Sequence, residues 1–348
     1  MNSFQETICK SVQHNCHIAD ARHAEDYTMC TYLLKMREYF RWEQQLGCRS
    51  VIPREALGDW LSERESLWGE VLAAEFQPVE IDGQLLDPFD TEAINSVLAP
   101  HGLVYSAGLE AGAKAHFFLG RLLYRETEGD QFTLYMSGDE LARCLNAPPA
   151  MTSKHAIFLR RQSMHRYLWE KYETWAWSRP DNALGRALAC YPFDASPDEA
   201  LEAMTDNEMP LVKSHEMGER EAGRLLGEDW NNMLLDLAHS PAELMARAVR
   251  DHLADCLYSL PLLAEQNQAP SIHFFMGNLS GMRKLLFPTL QKAYDQWLDT
   301  ADTSAFATIA GSGAVHWLAL AEDMMELYAA EGAMAEDALK LLVKSRKL

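Results

Sequence analysis

Apolar residues recur at mixed spacings of three and four from Phe4 to Leu46, through Tyr27, Cys30, Leu34, Met36, Tyr39 and Phe40, with no Gly or Pro in the run. That period lays one apolar stripe along a helix, so the spacing predicts a long amphipathic helix, broken near Asn15 to Asp20. Ser62-Glu63-Arg64-Glu65 has the form of a capping box, in which a hydroxyl and a carboxylate satisfy each other's orphan amides. It predicts a second helix running through Glu75.

Between residues 78 and 136 the pattern changes. Asp82-Gly83, flanked by Val79-Glu-Ile81 and Gln84-Leu-Leu86, suits a type I′ hairpin, and Asp90 is placed to cap a short helix through Leu98. Leu103 to Ala107, Ala115 to Glu126 and Gln131 to Met136 read as strands, the last two joined through Glu128-Gly129-Asp130. Ser137-Gly-Asp-Glu140 repeats the capping-box form and predicts a return to helix.

Beyond Pro148-Pro149 helical spacing dominates, with segments near 152–178, 196–206, 210–239, 240–258, 271–298 and 304–343. Ser196-Pro197-Asp-Glu199 and Ser240-Pro241-Ala-Glu243 are the clearest starts, each with Ser at the N-cap, Pro at N1 and Glu at N3. No repeat of 20 to 50 residues is present, which excludes a solenoid. The expected fold is mostly α, of the α+β class: a helical bundle with one small antiparallel sheet (78–136) inserted in the N-terminal half. The expected domains are 1–149, holding that sheet, and an all-helical 150–348.

The 348 residues carry a net charge of −20 and a hydrophobic share of 48%. Aromatic content and ordinary Gly and Pro counts exclude disorder and collagen, and the acidic balance argues against nucleic-acid or anionic-membrane binding. No secretory signal pattern opens the chain, and Thr303 to Ala321, its longest uncharged run, is too polar to span a bilayer. Seven cysteines form no Cys-x-x-Cys pair. A reduced, cytoplasmic protein is expected.

Candidate chemistry falls in three places. Cys9, Cys16, His23 and Cys30 step by seven along the first helix, ~10 Å apart at each step, too far to share one metal. Cys16, Asp20 and His23 are closer, and with further ligands would form a site; otherwise they are a packed seam. The richest stretch is Ser214-His-Glu-Met-Gly-Glu219, followed by Glu243, Arg247, Asp251, His252 and Asp255. His215 and Glu219 are four apart on one helix face, as are Asp251 and Asp255, and facing helices that each contribute such a pair build carboxylate–histidine metal sites. His215, Glu219 and Asp255 are therefore the expected catalytic groups, and these three with Asp251 and His252 the expected ligands of a divalent transition metal. Arg247, four residues from both Glu243 and Asp251, is expected to clamp Asp251, leaving Asp255 freer. Gly218, Gly223 and Gly227 suggest a close approach to this helix, since glycine otherwise weakens it. The competing reading is an ordinary i, i+4 ion-pair ladder.

The third place is basic: Lys154, His155, Arg160, Arg161, His165, Arg166 and Lys171, interleaved with aromatics up to Trp177. Arg160, Arg161 and Arg166 are the expected binders of a small anionic ligand, or helix 154–177 docks an acidic protein partner. His273 and His316 on apolar faces read as satisfied core histidines, and Gly311-Ser312-Gly313 as a helix break. No Glu-x-x-His, His-Glu-x-x-His, Gly-x-Ser-x-Gly, Walker or dinucleotide-binding motif occurs.

Asp20-Ala-Arg-His23, Thr31 through Trp42 and Arg250-Asp-His-Leu-Ala-Asp255 together resemble an uncharacterised bacterial family of conserved hypothetical proteins. The resemblance implies a free-standing bacterial protein and no particular activity. Two functions are thus in play: a metal-assisted enzyme, hydrolase or oxidoreductase, with its site between helices, or a non-catalytic interaction protein using helix 154–177.

Overall fold

Thr28 decides where the first helical stretch divides. A computed structural model of the chain, which describes residues 3–109, 114–128, 132–153 and 155–348, has helix α1 at Ser3–His23 and α2 at Met29–Glu43. The Thr28 hydroxyl accepts the Thr31 amide as an N-cap, so the break falls just before Met29 and not at Asn15 to Asp20. Asn15 instead sits buried in mid-helix, where its side chain brackets the Gln77 backbone with two 2.8 Å hydrogen bonds. A polar side chain satisfied by tertiary contact has no reason to unwind its own helix.

Helix α3 (Arg54–Val71) begins before the predicted capping box, and Ser62 in its interior donates to the Gly58 carbonyl at 3.1 Å. The hairpin forms as expected. Strands β1 (Val79–Ile81) and β2 (Gln84–Leu86) pair antiparallel around Asp82 and Gly83, at φ of 50° and 77°, the positive values a type I′ turn requires. Asp90 caps α4 (Thr91–Leu98) by accepting the Ala93 amide at 3.0 Å. Asp90→Ala should cost about 1 kcal/mol in urea unfolding; an unchanged midpoint would show that the cap is redundant.

The main sheet is larger than expected. Strands β3 (Leu103–Leu109), β4 (Ala115–Glu128), β5 (Phe132–Arg143), β6 (Ala150–Thr152) and β7 (Ala156–Arg160) lie in the order β3-β4-β5-β7-β6, with β3–β4 and β4–β5 antiparallel. Two sequence readings give way here. Ser137 and Glu140 lie inside β5, opposite Leu122 and Gly120, and do not start a helix. The buried Glu140 carboxylate takes Arg160 Nε at 2.8 Å and Ser163 Oγ at 2.5 Å, so it never turns back onto its own backbone. The helix expected over 152–178 starts only at Arg161, because Ala156-Ile-Phe-Leu-Arg160 is buried at every position. Periodicity alone does not separate such a short apolar run from a helix. The turn residues Gly129 and Asp130, and Lys154, lie outside the described residues.

Two compact units result, one holding the residues before Glu110 with Lys114–Pro149 and Phe158–Trp169, the other holding Ala150–Ile157 and Glu170–Leu348. In the first, Ile8, Val12, Cys16 and Ala19 of α1 pack against Tyr105, Phe117 and Leu119 of the sheet. This packing accounts for the cysteine stripe. Cys9 and Cys16 donate to the carbonyls of Leu141 and Phe117, Asp20 accepts the Leu145 amide, and His23 pairs with Asp26. Cys16, Asp20 and His23 thus serve three separate contacts.

From Arg161 onward the regular elements are helices: α5 (Arg161–Ala176), α6 (Ala183–Ala189), α7 (Pro197–Asp236), α8 (Pro241–Ala254), α9 (Leu260–Gln266), α10 (Ala269–Asn278), α11 (Gly281–Leu286), α12 (Pro288–Thr300), α13 (Ser304–Glu331) and α14 (Glu336–Ser345). Helices α7, α8 and α13 pack on one another, and Trp230, Val249 and Trp317, one on each, are buried. The helix expected to start at Pro210 is the second half of α7, which runs through that proline and kinks at Gly227, φ 74°. Burial of Met204, Met209 and Leu211 holds both sides of Pro210 helical. Likewise Gly311–Gly313 does not break α13. A side chain at Gly313 would meet Cys256 Sγ at 2.6 Å, so Gly313 admits a neighbour, whereas at Gly311 nothing lies within 4 Å. Ser304–Ser345 is the one helical stretch among the described residues long and apolar enough to cross a membrane, and Phe306, Trp317, Leu320 and Met324 within it are buried in the protein.

Candidate metal centre

Helix α8 begins as its sequence dictates: the Ser240 hydroxyl accepts the Glu243 amide at 3.1 Å, and Glu243 accepts the His239 amide at 2.9 Å. It ends in a π-turn at Asp255–Ser259, where the Leu260 amide reaches back five residues to the Asp255 carbonyl. Pro261 explains the widening, since it has no N–H for the carbonyl four residues before it and its ring crowds that turn. The π-turn carries Asp255 as its first residue, directly opposite α7.

Gly218 sets the distance between the two helices. A Cβ there would stand 3.0 Å from Ala254 Cα and 2.8 Å from its carbonyl carbon, contacts that real side chains do not make. Gly223 has open space around it and Gly227 is the kink, so of the three glycines only Gly218 marks a close approach.

Across this contact a charged cluster assembles. His215 Nδ1 lies 2.8 Å from Asp255 Oδ1, and its Nε2 lies 3.5 Å from Glu219 Oε1. Arg250 Nη2 reaches Glu219 Oε1 at 2.8 Å and Asp251 Oδ1 at 3.5 Å. Arg283 pairs with the other Asp255 oxygen. One ligand atom each from His215, Glu219 and Asp251 lies within 4.8 Å of the others. The three side chains are 28%, 20% and 23% exposed, whereas Asp255 is closed off at 2%.

The electrostatics follow from that packing. Burial opposes charge on His215, but the Glu219 carboxylate and Asp251 outweigh it and raise the imidazole above its usual range. Burial likewise works against ionised Glu219, yet Arg250 and His215 hold it well below the carboxylate range. Glu216, 8% exposed and accepting the Thr152 hydroxyl at 2.7 Å, is pushed up to about 7 by burial and the Glu219 charge. One helix turn therefore carries two carboxylates of opposite tendency.

Several expectations are corrected here. Arg247 pairs with Glu243 at 2.9 Å and does not clamp Asp251; that partner is Arg250. Asp255 is not the freer carboxylate, being held between His215 and Arg283. His252 turns away from the cluster: its Nε2 meets the Arg283 carbonyl at 3.0 Å and its ring stacks on Trp317, and burial, with Arg283 nearby, keeps it neutral. Arg160 is 1% exposed in its pair with Glu140 and Arg166 is buried too, so the basic segment 154–177 presents neither to a protein partner. His273 and His316 find Tyr294 Oη and the Arg346 carbonyl, away from His215. Sequence reading passed over Glu216, although it adjoins His215, and Arg250, although it adjoins Asp251. Arg283 lies 28 residues from Asp255 and gave no signal.

Two family models match the chain, the N-terminal domain of a family of unknown function (DUF6866) over residues 7–160 and its C-terminal domain over residues 165–346. No curated protein and no solved structure matches it. The two matches together span nearly the whole sequence, and the chain belongs to the DUF6866 family.

Proposed function

We propose that the chain is a metal-assisted hydrolytic enzyme whose divalent ion is held between α7 and α8 by His215 Nε2, Glu219 and Asp251. The observation that carries this reading is the convergence of those three ligand atoms within 4.8 Å. Asp255 supports it, because a carboxylate on Nδ1 fixes the tautomer and presents Nε2 as a ligand, an arrangement common behind metal-binding histidines. Three protein ligands leave a coordination position for water, whose acidity a bound divalent ion raises toward neutrality. Partial exposure of the three ligands supports solvent access.

Arg250 shares two of these carboxylates and is the ion's competitor. On this reading its guanidinium neutralises Glu219 and Asp251 in the ion-free protein and yields them on binding. The test is elemental analysis of untagged protein, with zinc and manganese titrations by calorimetry after chelation. The expected result is one ion per chain, lost in His215→Ala and Asp251→Asn, weakened about 10–100-fold in Asp255→Asn and unaffected in Glu243→Gln. Arg250→Gln should bind more tightly than the parent. Failure of zinc and manganese to bind the parent, or equal affinity in all five variants, overturns the proposal.

A further inference from the structure

The first unit contains a second concentration of buried charge. Arg41, Arg143, Arg160 and Arg166 are 7%, 4%, 1% and 7% exposed. Among the described residues of the same unit the buried acids are Asp20, Glu38 and Glu140. Both Asp20 oxygens face the Leu145 amide. Glu38 is shared by Arg41 and the half-buried Arg37. Glu140 is taken by Arg160 and Ser163, and Arg143 stands 3.7 Å from its second oxygen, beyond hydrogen-bonding reach. Arg143 spends its Nε and Nη2 on the carbonyls of Cys144 and Leu145. Arg166 receives none of these acids: its Nε and Nη1 are buried with no hydrogen-bond partner among the described residues.

A guanidinium does not escape such a position by losing its proton, and a buried cation whose donors meet no acceptor is among the costliest arrangements in a protein interior. Arg143 adds like charge, and burial and Arg143 together press the Arg166 guanidinium below its usual range. Cys48, Glu38 and Glu140 are its other charged or ionisable neighbours, with Cys48 Sγ 3.8 Å from His165 Nδ1. We propose that Arg166, with Arg143 beside it, is the binding site of a small oxyanion of the phosphate or carboxylate class. An oxyanion supplies several acceptor atoms for these donors, which the planar N–H pairs of guanidinium match better than a monatomic chloride does. The site uses residues of the first unit alone and stands independently of the metal proposal.

The test is thermal unfolding of the full chain in chloride, phosphate, sulfate and acetate at matched ionic strength, with direct calorimetric titration of phosphate and acetate. Phosphate or acetate should raise the melting temperature above the chloride value. A response confined to phosphate and sulfate assigns a phosphate-type ligand, and one confined to acetate a carboxylate. Arg166→Met should melt higher than the parent in chloride, since it removes two buried donors that meet no acceptor, and should lose the oxyanion response. Arg166→Lys, which keeps the charge without the planar fork, should weaken the response at least tenfold. His215→Ala should respond like the parent. An equal melting temperature in all four salts overturns the proposal, as does an Arg166→Met that melts lower in chloride and still responds. So does thiolate absorbance at neutral pH that disappears in Cys48→Ser, because the Cys48 thiolate would then be the anion beside Arg166.

Discussion

Gly218→Ala should destabilise the protein by about 3 kcal/mol, while Gly223→Ala, five residues along the same helix, should be neutral or gain up to about 1 kcal/mol. The difference comes from what a methyl group meets. At Gly218 it meets the Ala254 backbone, which cannot swing aside as a flexible side chain does; at the exposed Gly223 it meets nothing within 4 Å. Relieving the clash requires α7 and α8 to separate, and the His215–Asp255 and Glu219–Arg250 contacts cross that interface. Gly218→Ala should therefore also lose the metal that Gly223→Ala retains. Urea unfolding and zinc titration of the two variants check both statements, and equal stability would show that α7 and α8 do not meet closely at Gly218.

Stability should fall steeply between pH 7 and pH 5, through two histidines of the first unit. His17 Nε2 lies 2.9 Å from Arg64 Nη1, and burial with the Arg64 charge lowers its pKa to about 3. His116, buried at 7% exposure, is lowered to about 3 by burial and then by Arg160. A histidine whose folded pKa lies below its unfolded value near 6.5 takes up a proton on unfolding. Its neutral form therefore contributes stability that is complete above about pH 7 and is lost as the pH falls toward the folded pKa. Each histidine should cost about 2 kcal/mol at pH 5 relative to pH 8. Chemical denaturation at half-unit steps measures the slope. His17→Gln, which keeps an acceptor for Arg64 without a titrating ring, should flatten it by about 2 kcal/mol over that range; a slope identical to the parent's would show that His17 does not carry the effect.

The hairpin at Asp82-Gly83, the Asp90 cap and the Ser240 start were legible in the sequence because each is decided within four residues, by a positive φ or by a hydroxyl or carboxylate meeting a nearby amide. The same local grammar misled at Ser62 and at Ser137-Gly-Asp-Glu140, where the residue types fit a capping box but the side chains went elsewhere. Glu140 found Arg160 and Ser163, twenty and 23 residues away, and the strand pairing of Ser137 with Leu122 fixed the backbone as extended. Segment 156–160 was ambiguous for another reason: with every residue buried it shows no alternation, and only a neighbouring strand distinguishes it from helix.

At the candidate metal centre the division is similar. Helical periodicity alone put His215 with Glu219, and Asp251 with Asp255, and the cost of glycine in a helix marked Gly218, Gly223 and Gly227 as contact points, of which only Gly218 is one. Which carboxylate faces the ion and which one orients the histidine was decided by tertiary structure. The π-turn at Pro261 begins at Asp255, and Arg283, arriving from a different helix, holds that carboxylate against His215 and away from a ligand's role. Spacing along one helix fixes which side chains share a face. The partner each of them takes depends on groups brought in from other helices, where burial makes an unpaired charge too costly to leave, and a single-sequence pattern carries no record of that pairing.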